Sequence, residues 1–289
     1  MAALRSCVLS VHVAVAVVDC LCARPWPQHR TGFVGLTPYV APMSLWREHM
    51  PSDKLKVWVG SWNVGDCKPP SNLQVWIPSP RKEPYDLYAI GLQEIGASSN
   101  RDAWGLALLN HLNAGGRSRS STVAVSRGVG TTSGNQYYQV AAQPLWEMGI
   151  WVFARAQHVV DITQVACDTE ATGISLGKQV TGMQLGNKGA CAIGFRWRDT
   201  TFAFINCHFA ARPERVAQRE ADYRQITAKL RLTPDRSLDV MHNFEHLFWF
   251  GDLNYRVRIS VCVCVCVCVC VCVCGCGCVL LWLCVFVCL

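Results

Sequence analysis

Five polar residues stand at the ends of apolar runs: Asn63, Glu94, His208, Asp252 and Asn254. Hydrolysis of a phosphate ester needs a hard cation, an activated water and donors on the phosphoryl oxygens. Mg²⁺ is commonly held by one or two carboxylates, with waters and the substrate phosphate completing its shell. Glu94 is the best candidate ligand, with Asn63 beside it. His208 can donate to a phosphoryl oxygen. Asp252 and Asn254 are two apart, so they point the same way if the backbone stays extended, and they can then orient the attacking water. Lys188, in Gly186-Asn187-Lys188-Gly189, can approach a phosphate closely between its two glycines. Singly, each has a plainer reading: Asn63 as a turn cap, Glu94 as a surface carboxylate, His208 as a core histidine, and the lysine segment as a tight turn. Five such positions at strand ends are harder to explain that way.

Short buried strands must deliver these residues. Leu247, Phe248, Trp249 and Phe250 form an apolar run that Gly251 breaks just before Asp252. Similar runs span 54–60, ending in Ser61-Trp62-Asn63, and 86–91, ending in Gln93-Glu94. Further strands are expected over 137–142 and 148–154. Apolar runs over 190–197 and 201–207, joined by Arg198-Asp199-Thr200, give a hairpin signal that ends in Asn206-Cys207-His208. Helical spacing predicts helices over 101–112 and 213–232, the second with a solvated outer face. The stretches 115–136, a Gly/Ser/Thr/Arg-rich loop, and 163–185 read as irregular. The whole is an α/β pattern.

The chain has 289 residues and a net charge of +7, an excess that suits acidic ligands. Its basic residues form no run long enough for a nucleic-acid arm, so nucleic acid is not expected as a partner. Eleven of the 18 cysteines lie after residue 260, and the seven that remain do not make a disulfide framework. Residues 1–53 read as a poorly structured leader, and 54–257 as the catalytic domain. Within the leader, the apolar stretch 7–23 has the length of a secretory signal core, but His12 and Asp19 interrupt it. From Val261, Val-Cys repeats seven times, the pattern that a GT dinucleotide repeat encodes. Residues 258–289 are therefore read as a low-complexity tail of translated repeat, not as a metal site or membrane anchor.

Five segments carry a family resemblance: Gly60-Ser61-Trp62-Asn63-Val64-Gly65, Gly91-Leu92-Gln93-Glu94, Gly186-Asn187-Lys188-Gly189, Asn206-Cys207-His208-Phe209-Ala210-Ala211, and Phe248-Trp249-Phe250-Gly251-Asp252-Leu253-Asn254-Tyr255-Arg256. In type and order they resemble the motifs of the inositol polyphosphate 5-phosphatases, over residues 54–257. Arg219 and Asp222, on the intervening helix, are similar too. The resemblance implies the DNase I-like endonuclease/exonuclease/phosphatase fold, a two-sheet α/β sandwich with helices outside, here incomplete at its C-terminus. It also implies an enzyme that removes the 5-phosphate from inositol polyphosphates or phosphoinositides with Mg²⁺ as cofactor. Asn63 and Glu94 then bind the metal, His208 contacts the scissile phosphate, and Asp252 and Asn254 act on water and phosphate. Asn187, Lys188 and Arg256 fall to substrate binding. Phosphoinositide head groups as partners imply a cytoplasmic protein with peripheral membrane contact. Two later motifs of the family, Trp-Cys-Asp-Arg and a Ser-Asp-His segment with a catalytic histidine, do not occur here. The chain as written is accordingly expected to be inactive or nearly so.

Two other readings compete. A nuclease of the same fold would use Glu94, Asp252 and Asn254 equally well, but a DNA-binding face normally shows clustered Lys and Arg. A non-catalytic phosphoinositide-binding module would keep Lys188 and Arg256 without turnover.

Overall fold

The computed structural model describes residues 10–19, 54–114, 136–172, 187–233, 239–255, 267–269 and 283–285. Two mixed sheets face each other. The first holds β1 (Ser10–Asp19), β2 (Lys54–Asn63), β3 (Leu87–Gln93), β4 (Tyr137–Leu145) and β5 (Met148–Arg155), in the order β1-β2-β3-β5-β4. The second holds β6 (Ile162–Ala171), β7 (Gly189–Trp197), β8 (Thr200–His208) and β9 (His246–Asp252), in sequence order. Helix α1 (Ser98–Leu112) covers the first sheet and α3 (Val216–Lys229) the second, while α2 (Ala156–Val159) is a single turn after β5. In the tail, β10 (Val267–Val269) pairs antiparallel with β11 (Leu283–Val285).

The strands are apolar on both faces because both faces are covered. Along β2, Val57 and Val59 point into the layer between the sheets, while Trp58 points out toward α1. That is the period-2 alternation of a strand. Phe195, Phe202, Phe204 and Phe248 supply the inner face of the second sheet, with Phe204 and Phe248 stacked at 4.9 Å. On its outer face Ala190, Ala192, Ile205 and Trp249 pack with Ile226 and Leu230. This is the two-sheet α/β sandwich that the sequence implied.

Three expectations change. The stretch from 163 was read as irregular, yet β6 occupies 162–171. It is an edge strand with a bulge, half polar and partly exposed, so it lacks the apolar signature of its neighbours. The remainder of that stretch, 173–185, lies outside the described residues, as does the loop over 115–135. Within the leader, Ser10–Asp19 forms a strand antiparallel to β2. Its alternating, Val-rich sequence suits that edge position. The helix expected from 213 begins at Val216, after a turn. Among the described residues no helix is long and apolar enough to cross a membrane.

Candidate active site

Two parallel strand pairs bring the polar ends to one place. β2 and β3 run parallel with Asn63 opposite Gln93, and β8 and β9 run parallel with His208 opposite Asp252. β7 runs antiparallel to β8 with Gly189 opposite His208, so Lys188 arrives at the same end.

Asn63 Nδ2 donates to Asp252 Oδ2 at 3.1 Å, tying one sheet to the other, and Asn63 Oδ1 accepts the Gly65 N–H at 3.2 Å. His208 Nε2 lies 3.7 Å from both Glu94 Oε1 and Asp252 Oδ2, and 2.5 Å from Lys188 Nζ. His208 is only 2% exposed. Burial and then the positive charge of Lys188 push its pKa down to about 4, against the opposing pull of Asp252. The imidazole is therefore neutral near pH 7 and accepts from the Lys188 ammonium. Its approaches to Glu94 and Asp252 are not ion pairs in that state. Burial lowers the Lys188 pKa, while Glu94, Asp252, Asp222 and Glu147 act to raise it. The centre thus gathers negative charge around a single ammonium group.

Glu94 stands in the left-handed region, at φ 53°. That backbone conformation costs a non-glycine residue about 1 kcal/mol. Its carbonyl accepts from the Asp66 N–H at 2.7 Å, and the next residue, Ile95, donates to the Glu147 carbonyl at 2.8 Å. A cleft of about 680 Å³ adjoins this turn, lined by Asp66, Gly96, Asn100, Arg101, Trp146 and Glu147 among others.

Asn254 departs from expectation. The backbone does not stay extended after Asp252: Asn254 has φ 53°, and its N–H donates to Asp252 Oδ1 at 3.0 Å. This local turn, of the kind a short acidic side chain favours, removes the shared direction that a strand would impose. Asn254 Nδ2 instead donates to the Phe209 carbonyl at 3.0 Å, so Asn254 braces the segment after His208. Asn187 is exposed at the head of β7. Arg256 lies outside the described residues.

Sequence reasoning assigned no role to several residues that shape the site. Arg219, 1% exposed, donates to the carbonyls of Ala210, Arg212 and Pro213 and lies 4.8 Å over the Tyr255 ring. Asp222 accepts the Ala210 N–H at 2.9 Å. Helix α3 thereby fixes the turn that follows His208. Beneath the site, Ser61, Gln93 and Asn206 form a buried polar network. A signal existed, because an amide inside an apolar strand must find partners when buried.

The family described as Endonuclease/Exonuclease/phosphatase family 2 matches residues 60–261. Phosphatidylinositol 3,4,5-trisphosphate 5-phosphatase 2 of Canis lupus familiaris is 34% identical over 218 residues, which cover 71% of this chain and 15% of that protein. The corresponding 5-phosphatase 1 of Homo sapiens is 32% identical over 218 residues, covering 71% of this chain and 16% of that protein. The chain thus spans about 15% of the length of these curated relatives. Among solved structures, the inositol polyphosphate 5-phosphatase domain of SPsynaptojanin, crystallised with inositol (1,4)-bisphosphate and a calcium ion, superposes with a TM-score of 0.57. The identity is 27%, over 71% of this chain and 54% of that one.

Proposed function

Because this chain belongs to the endonuclease/exonuclease/phosphatase family 2, and resembles its inositol polyphosphate 5-phosphatases, we propose that its site acts on the 5-phosphate of inositol polyphosphates or phosphoinositide head groups. The observation that carries the reading is the convergence of Asn63, Glu94, Lys188, His208 and Asp252 at one end of the sandwich.

The donor set suits a hard divalent cation. The Glu94 and Asp252 carboxylates lie beside a neutral imidazole, the Asn63 amide is bonded to Asp252, and Lys188 is the positive charge drawn into them. Among the described residues no trio of His, Cys, Asp and Glu closes into a metal cage. Mg²⁺ suits the two carboxylates, since it keeps several waters and takes only one or two such ligands. Glu94 and Asn63 are the residues that would hold it. When bound, it would supply charge neutralisation at the phosphoryl oxygens. Lys188 holds the phosphate by donating to its oxygens, and His208 does so once substrate draws Lys188 off Nε2 and the ring proton stands there in place of Nδ1. Asp252, held by Asn63 and by the Asn254 N–H, orients the attacking water. The same reading places the chain in the cytoplasm, in peripheral contact with membranes that display phosphoinositides.

A second reading, head-group binding without turnover, is favoured by two observations: His208 is the only histidine among the described residues of this cluster, and Lys188 already occupies its Nε2. One experiment separates the two. The full chain is incubated with inositol 1,4,5-trisphosphate in Mg²⁺ or EDTA, and free phosphate and bound ligand are measured. Mg²⁺-dependent phosphate release, reduced about 100-fold or more in Asp252→Asn, supports the hydrolase. Mg²⁺-dependent binding without release supports the binding module. Neither binding nor release overturns both.

A further inference from the structure

We propose that Gln93 and Asn206 are positioning residues whose buried hydrogen bonds, running between the two sheets, hold the Glu94 carboxylate at His208. Asn206 belongs to β8 of the second sheet, but its side chain is embedded in the first. Its Oδ1 accepts from Gln93 Nε2 at 2.6 Å, and its Nδ2 donates to the Gly149 carbonyl at 2.9 Å and the Leu92 carbonyl at 3.3 Å. Gln93 Nε2 also donates to Ser61 Oγ at 3.1 Å, and Ser61 Oγ donates to Gln93 Oε1 at 3.3 Å. Gln93 and Asn206 are fully buried and Ser61 nearly so. Gly91 makes the room: a Cβ there would meet Asn206 Oδ1 at 2.5 Å.

Placement ties this network to the site. Gln93 immediately precedes Glu94. Asn206 precedes His208 by two, so both share one face of β8. The single bond between the two amides therefore sets one sheet's carboxylate against the other sheet's imidazole. A buried amide pair has no advantage in stability alone, since apolar groups of the same shape in both places can be nearly neutral. Its distinctive effect is to specify one arrangement. Glu94 needs that specification, because its left-handed backbone is costly and persists only where the surroundings impose it. With Gln93 locked inward, and with the Glu94 carbonyl and the Ile95 N–H both bonded, the chain at Glu94 has no other course.

The structural claim stands by itself, and its consequence for cation affinity rests on the proposed reading of Glu94. The test uses the full chain carrying Gln93→Leu with Asn206→Leu, which removes both amides together and leaves Ser61 Oγ and the Gly149 and Leu92 carbonyls without these bonds. A crystal structure of the variant reads Glu94 directly, and Mn²⁺ titration followed by electron paramagnetic resonance reads its use. The expected result is that Glu94 leaves its positive φ and its carboxylate moves away from His208. Mn²⁺ affinity should fall about 10-fold in the wild-type background and not at all in a Glu94→Gln background. A folded variant that keeps Glu94 in place overturns the proposal, as does an affinity loss of equal size in the Glu94→Gln background. If the double variant does not fold, Ser61→Ala, which removes one partner of Gln93, is read in the same two ways. If the wild-type chain binds no Mn²⁺, the cation reading falls, and the position of Glu94 in the variant structure still decides the structural claim.

Discussion

Asn63 and Asp252 stand 189 residues apart in the chain, and Asn63 Nδ2 donates to Asp252 Oδ2 at 3.1 Å. The bond joins the last residue of β2 to the last residue of β9, and so joins one sheet to the other at the end where the polar residues converge. Asn63→Ala removes this donor and also the acceptor of the Gly65 N–H. Urea denaturation should show a loss of about 1–2 kcal/mol. Unchanged stability would mean that the bond is not maintained in solution.

The depressed pKa of His208 gives its pH dependence a definite sign. An unfolded histidine titrates near 6.5, whereas His208 in the fold titrates near 4. Above pH 6.5 both states are neutral there, and the contribution of His208 to stability is fully present. As pH falls from 6.5 toward 4, the unfolded chain takes up a proton that the folded chain refuses, and stability is lost. Proton NMR of the imidazole should show His208 neutral at pH 6. Lys188→Met removes the nearby ammonium and should raise the His208 pKa. No upward movement would contradict the contact.

Gly251 occupies φ +123°, where a side chain is strained, and a Cβ there would collide with the backbone of Cys207 on β8. Neither strand can yield, because Cys207 pairs with Gly251 and His208 with Asp252 in the parallel register. Gly251→Ala should destabilise the fold by about 2–3 kcal/mol. Thermal denaturation checks this.

Arg219 is a brace and not a surface charge. Arg219→Met keeps much of its apolar stem but strips the carbonyls of Ala210, Arg212 and Pro213 of their donor. A loss of about 3 kcal/mol is expected, since hydrogen bonds from a charged donor contribute more than neutral ones. The turn after His208 should loosen as well, visible as faster amide exchange at Ala210.

The residues that were legible in sequence are those in which burial and chemistry coincide locally. The apolar runs that end at Asn63, Gln93, His208 and Asp252 became β2, β3, β8 and β9, and the pair joined at Arg198-Asp199-Thr200 became a hairpin. β6 was not legible, because an edge strand with polar residues facing water carries no apolar period. Asn254 was placed in the right neighbourhood, but the extended backbone on which its shared direction with Asp252 depended is replaced by a turn in which its own N–H bonds Asp252. The contact between Lys188 and His208 depends on the antiparallel register of β7 and β8, which sets Gly189 opposite His208 and which the hairpin signal alone left open. Gln93 and Asn206 sat inside recognised motifs, but their partnership crosses from sheet to sheet and exists only in three dimensions.

The central claim is that these strand ends form one site for a divalent cation and a phosphomonoester. Calorimetric titration of the full chain with inositol 1,4,5-trisphosphate, in Mg²⁺ and in EDTA, tests it most directly, with Glu94→Gln alongside. The account predicts binding that requires Mg²⁺ and weakens at least about 10-fold when Glu94 loses its charge. Binding of equal strength in EDTA, or binding indifferent to Glu94→Gln, would contradict it.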